Sequence, residues 1–332
     1  PPVSPPREPP PRPVVVPCAA MIVGIDIGGT NARALLIDPT SAQILDRRQV
    51  SSSGTGPQLV STLAQIVETF DENSSQPVDA VGLAVAGLAH RSGVVRYSPN
   101  LSDLLEFPIG PDLEELVGRP VVLGNDATAG ALAEHRLGAG RGCDNFGFVT
   151  LGTGIGTGFV LDGRLVKGAS GFAGESGHMV VALDGPVHVT GMQGPWEYFG
   201  SGNALGRMGQ EAAAVGGFPA GVALAGSVDA ITGNHVSDAL ADENADAVRI
   251  FDEFCRLVAV GVSNLVMIMD LEQIVVGGGL VRIGEPLSSG IQNHLGQLIV
   301  GSGHRPQVEV VLAQLGADAG ALGAGLMAVD LL

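Results

Sequence analysis

The chain has 332 residues, 45% of them hydrophobic, with a formal net charge of −17. That length suits two lobes around a cleft, and the apolar content is ample for a core. The charge excludes a broad basic surface for nucleic acid or anionic membrane, and no apolar run reaches the roughly 18 residues that a membrane span needs. A polyanionic ligand would therefore be held by backbone amides, helix N-termini and a metal ion. Cys18, Cys143 and Cys255 are far apart and form no CxxC, the usage expected of a reduced cytoplasmic protein.

Residues 1–20 contain nine prolines and predict a disordered or polyproline-like tail without the apolar core of a signal peptide. Met21 opens the first foldable segment. MIVGIDIGGTNARALLID predicts a β-hairpin, with Asp26 closing the first apolar run and Gly28, Gly29 and Thr30 in the turn. An acidic residue beside such a loop can hold hydrated Mg²⁺ while loop amides bind phosphate; the same Asp can simply shape the turn. No Gly-Lys-Ser/Thr follows, and the glycines lie between two strands, so this is neither a Walker loop nor a dinucleotide fingerprint.

PQLVSTLAQIVETF has helical apolar spacing, and VDAVGLAVAGL predicts a buried strand ending at Gly87. HRSGVVRYSPNL brings Asn100 to a loop, and PDLEELVG is a helix from Pro111 to Gly118. RPVVLGNDATAGALAEHRLG predicts strand, Asn125-Asp126, then helix. Alternating strands and helices indicate a mostly parallel sheet, whose ligands bind beyond the carboxyl ends of strands. Asp126 stands at such an end, where a carboxylate can take the proton of an attacking hydroxyl. The competing role is a helix N-cap.

GFVTLGTGIGTGFVLDGRLVKGASGFAGESGH sets Gly152, Gly154, Gly156 and Gly158 at alternate positions of a predicted strand. Such a bare face lets N–H groups approach phosphate oxygens, with Thr153 and Thr157 adding hydroxyls. The alternative is a glycine-rich hairpin at a domain edge. Glu175 and His178 share a face if their turn is helical. Trp196 adjoins Glu197. A long striped helix, ADAVRIFDEFCRLVAVGVSNLVMIMD, leads to the strand QIVVGGGL, whose end could stack a flat ring or merely turn into a helix. GADAGALGAGLMAVDLL is a small-residue helix suited to close packing. Two glycine hairpins, at 24–37 and 149–164, would clasp a phosphate chain from opposite sides.

In this order DIGGTN, SPNL, GNDA, LGTGIGTGFVLDGRL, AGESGH, WEYFGSGNAL and IVVGGGL resemble the ROK family of bacterial sugar kinases and related repressors, within the actin and hexokinase-like superfamily. The resemblance spans 21–332. It implies an α/β, two-lobed, duplicated RNase H-like fold: a smaller lobe of 21–130 plus 316–332 and a larger one of 131–315, after the 1–20 tail. It places Gly28, Gly29, Thr30 and Asn31 in the first phosphate loop, Gly152, Thr153 and Gly154 in the second, and Gly278 and Gly279 at the adenosine. Asp126 matches the catalytic base. Asn100, Asn125, Asp126, Glu175, His178 and Glu197 match sugar contacts, and such carboxylates and carboxamides suit a neutral polyol. Mg²⁺ with ATP is the expected cofactor, bound near Asp26 through water.

Many family members also carry a structural zinc, held by the histidine of this segment and three cysteines. Here His188, Thr190 and Pro195 replace the cysteines. His178 and His188 are too few for a closed four-coordinate site, so no zinc is expected. The repressors carry a helix-turn-helix before the first hairpin, where this chain has its proline tail. The expectation is a cytoplasmic homo-oligomeric glucokinase using ATP. N-acetylmannosamine, N-acetylglucosamine, mannose or fructose as substrate, polyphosphate as donor, and a sugar sensor without turnover are the alternatives.

Overall fold

The computed structural model describes residues 20–74 and 76–332. The tail expected over 1–20 lies outside them except for Ala20, which is buried. The strands are β1 (Ile22–Ile27), β2 (Asn31–Asp38), β3 (Gln43–Ser51), β4 (Ala80–Val85), β5 (Leu88–Ala89), β6 (Val95–Tyr97), β7 (Val121–Asn125), β8 (Phe146–Leu151), β9 (Ile155–Leu161), β10 (Arg164–Leu165), β11 (Gln273–Gly277) and β12 (Glu309–Leu312). The helices are α1 (Gly56–Asn73), α2 (Ile109–Val117), α3 (Asp126–Leu137), α4 (Trp196–Gly200), α5 (Gly202–Ala214), α6 (Pro219–Ala225), α7 (Gly233–Ala241), α8 (Ala245–Met269), α9 (Glu285–Leu298) and α10 (Ala319–Val329).

Ten of these strands form two five-stranded sheets, ordered β3-β2-β1-β4-β7 and β10-β9-β8-β11-β12. In each, a meander of three antiparallel strands (β1-β2-β3; β8-β9-β10) continues on its first strand into two parallel ones. The second sheet thus repeats the topology of the first, as expected for a duplicated α/β fold. Sequence dictates the layout. β4 is buried at every position and reads as one apolar run, the mark of a parallel strand covered on both faces. β3 alternates exposed and half-buried residues and carries Asp46, Arg47 and Arg48, which suits an edge.

Where α3 and α10 meet the sheets and each other, the packing depends on missing side chains. A Cβ on Gly24 would lie 1.9 Å from the Ala321 carbonyl oxygen, and one on Gly82 would lie 1.8 Å from that of Ala324. A Cβ on Gly323 would come within 1.8 Å of the Ala129 oxygen. Backbone thus touches backbone from β1 and β4 through α10 to α3. Gly82→Ala is expected to cost upwards of about 3 kcal/mol, because neither partner is a side chain that can swing aside. A urea unfolding midpoint below that of wild type is the check; an unchanged midpoint would mean that the helix can shift at little cost.

The two crossings between the sheets are tied by one residue. Glu134, fully buried near the end of α3, accepts the Ala139 N–H at 2.8 Å, the Leu315 N–H at 2.9 Å and the Gln314 N–H at 3.0 Å. Residue 139 lies on the way into the second sheet, and 314–315 on the way back to α10.

Candidate active site

Asp126 is the first residue of α3, but it is not the cap. Asn125 takes that role, its side-chain oxygen accepting the Ala127 N–H at 2.9 Å and the Thr128 N–H at 3.1 Å. The Asn125 amide donates to the Gly87 carbonyl at 3.2 Å, fixing the side chain from behind. The two candidate roles therefore fall to neighbouring residues: Asn125 caps, and Asp126 carries a carboxylate that accepts the adjacent Ala127 N–H at 2.9 Å. Burial raises the Asp126 carboxyl above the usual range, opposed in part by that N–H.

Asp26, at the end of β1, is pushed up to about 6, first by burial and then by the negative charge of Asp126, with Arg33 opposing. The carboxylates therefore feel one another at the seam between the sheets. Gly320, in the first turn of α10, leaves room for Asp26: a Cβ there would stand 2.7 Å from its Oδ2. Two converging carboxylates fit a hard divalent cation such as Mg²⁺, which commonly takes one or two protein carboxylates and completes its shell with water and substrate phosphate.

The protonation of Asp26 has a testable sign. A carboxyl that titrates at about 6 when folded and near 3.8 otherwise binds its proton more tightly in the folded protein. Its contribution to stability is full below pH 3.8 and lost as pH rises through 6. Asp26→Asn is expected to be more stable than wild type at pH 7.5, by about 3 kcal/mol and several degrees in Tm, with the gap closing by pH 4. Thermal melts of both proteins across that range check it; a gap independent of pH would rule out the carboxyl as its source.

The first glycine turn joins β1 to β2. Gly28 donates to the Asn31 carbonyl at 3.0 Å, and Gly29, Thr30 and Asn31 are exposed. Asn100 lies against this loop, 3.1 Å from where a Cβ on Gly29 would be. In the second loop the four glycines divide. β8 ends at Leu151 and β9 starts at Ile155, so Gly152 and Gly154 form the turn with exposed Thr153 between them. Gly156 and Gly158 instead admit α3: a Cβ at 156 would meet Ala127 Cβ at 2.9 Å, and one at 158 the Ala127 oxygen at 2.6 Å. Thr157 is likewise turned inward, its hydroxyl donating to the Gly174 carbonyl. The single bare strand face expected over 152–158 is thus a two-glycine turn followed by a helix-packing surface. Gly278, with φ +84°, abuts Leu151 beside this turn, and Gly279 faces open space.

The opposite wall is acidic. Glu175 precedes a 3-10 turn, Ser176–His178, which brings its Oε2 to 3.9 Å from His178 Nε2. Burial raises the Glu175 carboxyl; His178 opposes this, while Asp126 and Glu197 reinforce it. Asp126, Glu175 and Glu197 therefore share one neighbourhood. Glu197 is anchored by its neighbour: Trp196 is fully buried, donates to the Leu257 carbonyl at 3.3 Å, and fills a notch in α8 where a Cβ on Gly261 would stand 2.0 Å from its ring. Glu197 Oε2 accepts the Ile155 N–H at 2.7 Å, against Gly154 of the second glycine turn.

Arg33 escaped the sequence reading, and His188, read there only against the zinc pattern, has a partner that reading did not give. Arg33 pairs with Asp26 in the β1–β2 register and reaches Asp318 at 3.8 Å; counting outward from the Gly-Gly turn would have found it. His188 approaches Glu197 Oε1 to 3.5 Å, a contact with no local signal. Among the described residues no three His, Cys, Asp or Glu side chains gather as a metal cluster. Thr190 and Pro195 offer no thiolate, so this loop does not fit a closed four-ligand zinc site.

Two copies of one sheet, joined through α3 and α10 with a free carboxylate at the seam, define the actin- and hexokinase-like class of α/β folds. Within it the match is specific: the ROK family model covers residues 22–330, and the chain belongs to that family. It is 35% identical over 312 residues to the glucokinase of Streptomyces coelicolor, covering 93% of this chain and 97% of that one. It is 34% identical over 312 residues to the N-acetylmannosamine kinase of Citrobacter koseri, covering 92% and 98%. Among solved structures, the ROK family glucokinase of Streptomyces griseus in complex with glucose and AMPPNP superimposes with a TM-score of 0.81 at 35% identity, covering 94% of this chain and 100% of that one. The chain is a sugar kinase of the hexokinase type, an ATP-dependent phosphotransferase. None of its described helices is long and apolar enough to cross a membrane.

Proposed function

We propose that this kinase is a glucokinase, passing the γ-phosphate of ATP to the 6-hydroxyl of glucose, with Asp126 as general base. The observation that carries the base assignment is the division of labour at the start of α3. Asn125 satisfies the helix N-termini's amides, so Asp126 keeps acceptor capacity for a substrate proton. Glucose is favoured by the likeness to the Streptomyces enzymes over most of the chain.

In this reading the sugar lies between Asn100, Asn125 and Asp126 on one side and Glu175, His178 and Glu197 on the other. Carboxylates accept its hydroxyl protons, and the Asn125 amide is already committed to Gly87. The loop of Gly28, Gly29, Thr30 and Asn31 and that of Gly152, Thr153 and Gly154 hold the phosphate chain from two sides, through amides other than those of Gly28 and Gly152, which donate to Asn31 and Gly154. Gly278 and Gly279 border the adenosine. Mg²⁺, held by Asp26 through water, supplies charge neutralisation for the transferred phosphoryl when bound. The lobes, 21–130 with 316–332 and 131–315, close about the crossings at Glu134, excluding water that would compete with the sugar as acceptor.

Because both Asp26 and Asp126 are raised by burial, they protonate at a higher pH than free carboxyls. Turnover is expected to fall as pH drops toward 6. The deciding experiment is ADP release across a panel of hexoses. A kcat/KM for glucose well above those for N-acetylmannosamine, N-acetylglucosamine, mannose and fructose supports the assignment, and a higher value for another sugar reassigns the substrate. The homologous N-acetylmannosamine kinase gives that second sugar its standing.

A further inference from the structure

The reaction as described makes no use of His188. Its side chain is 15% exposed and that of Glu197 is 18% exposed, so the two meet away from bulk water. His188 Nε2 stands 3.5 Å from Glu197 Oε1, while Nδ1 lies 3.0 Å from the Thr190 hydroxyl. The other Glu197 oxygen accepts the Ile155 N–H at 2.7 Å, at the edge of the second phosphate turn. The loop around His188 closes on itself: the His188 N–H donates to the Met192 carbonyl at 2.8 Å, and Gly191 donates back to His188 at 2.9 Å. Its apolar side chains, Leu183, Val187 and Val189, point outward and are exposed. The inward polar anchor of this loop is the imidazole.

We propose that His188 is a positioning residue, which fixes Glu197 for the sugar and links that carboxylate to the loop that covers it. In the tautomer this assigns, the Thr190 hydroxyl donates to Nδ1 and Nε2–H faces the carboxylate. Ile155 thus holds one oxygen by a hydrogen bond while His188 faces the other at 3.5 Å, and the remaining lone pairs can accept two sugar hydroxyls. Without His188 the carboxylate keeps one tether and can rotate about it, so a hydroxyl pair meets a less ordered acceptor. The inference rests on the sugar-kinase reading of this pocket.

The test compares wild type, His188→Ala and His188→Gln, with sugar and ATP varied separately, and adds calorimetric glucose binding without nucleotide. Losing one charge-assisted contact is expected to raise the sugar KM and Kd about tenfold in His188→Ala. The ATP KM and the sugar-free Tm should hold. His188→Gln, whose amide N–H can reach the carboxylate, should return the sugar KM to within about threefold of wild type. An unchanged sugar KM in His188→Ala overturns the inference. So does a parallel rise of both KM values with a fall in Tm, which would mark a merely structural residue, and so does a glutamine variant no better than alanine. If wild type binds glucose but turns over no hexose, the kinase reading fails, while the Kd series still decides the role of His188. Wild type that binds no hexose overturns both.

Discussion

Asp126→Asn is expected to lower sugar-dependent ATP turnover by about 10²–10⁴-fold while leaving the protein folded and able to bind sugar. The substitution keeps shape and hydrogen-bonding length but removes the acceptor of the 6-hydroxyl proton. The start of α3 should survive, because Asn125 accepts both the Ala127 and Thr128 N–H groups and an asparagine at 126 keeps an oxygen for the Ala127 N–H that Asp126 shares. Burial disfavours the ionised carboxylate, so the neutral asparagine is expected to match or slightly exceed wild type in stability, by a margin that shrinks as pH falls and the carboxyl protonates. A stopped-time ADP assay, run beside glucose calorimetry, separates the outcomes. Turnover reduced less than tenfold would exclude Asp126 as base. Loss of turnover together with loss of folding would return the residue to a structural role. Asn125→Ala makes the complementary control: it should cost about 1–2 kcal/mol as a lost cap and disturb Asp126 only indirectly.

The second large effect is expected at Glu134, and it is on stability. Ala139, Gln314 and Leu315 all donate to this one buried carboxylate. Truncation to alanine leaves three part-buried backbone N–H groups without their acceptor and opens a cavity where the buried side chain stood. Each stranded donor costs about 1–3 kcal/mol, so Glu134→Ala should lose about 4 kcal/mol or more after partial relaxation. Glu134→Gln keeps one acceptor oxygen but turns an N–H₂ toward backbone donors, so it should rescue only part of the loss. The check is the urea midpoint of the three proteins. A loss below about 1 kcal/mol for alanine would mean that water or a shifted crossing satisfies the three amides. Because both chain crossings meet at this side chain, the glutamine variant should also alter the sugar dependence of proteolysis at the crossings.

How far the sequence reached depended on whether a feature is local. The β1–β2 hairpin, α1, β4, α2, β7, α3, α8 and α10 follow from periodicity and punctuation, and each formed within a few residues of its predicted span. β3 and the short helices α4–α7 did not stand out. β3 is an edge strand whose residues are mostly polar, and α4–α7 are short helices each containing glycine, which blurs their apolar spacing. The motif order carried the family, which matches residues 22–330. It could not divide the glycines of 152–158 into a turn and a helix-packing surface. A glycine's purpose is set by what approaches it, and at 156 and 158 that is α3, whose first residues lie some thirty positions earlier in the chain.

By itself, the sequence determined which residues could do chemistry here: a carboxylate at the end of β1, another at the end of β7, two glycine turns, and an acidic pair near 175–197. Those follow from residue type and from position at the ends of strands. Tertiary structure alone decided which of two adjacent residues caps α3, that Asp26 and Asp126 lie close enough for one charge to raise the other, and that His188 faces Glu197. These are contacts between segments distant in sequence or competing for one position. Their distances are set by how α3, α10 and the two sheets close on one another through glycines, and no local pattern encodes that closure.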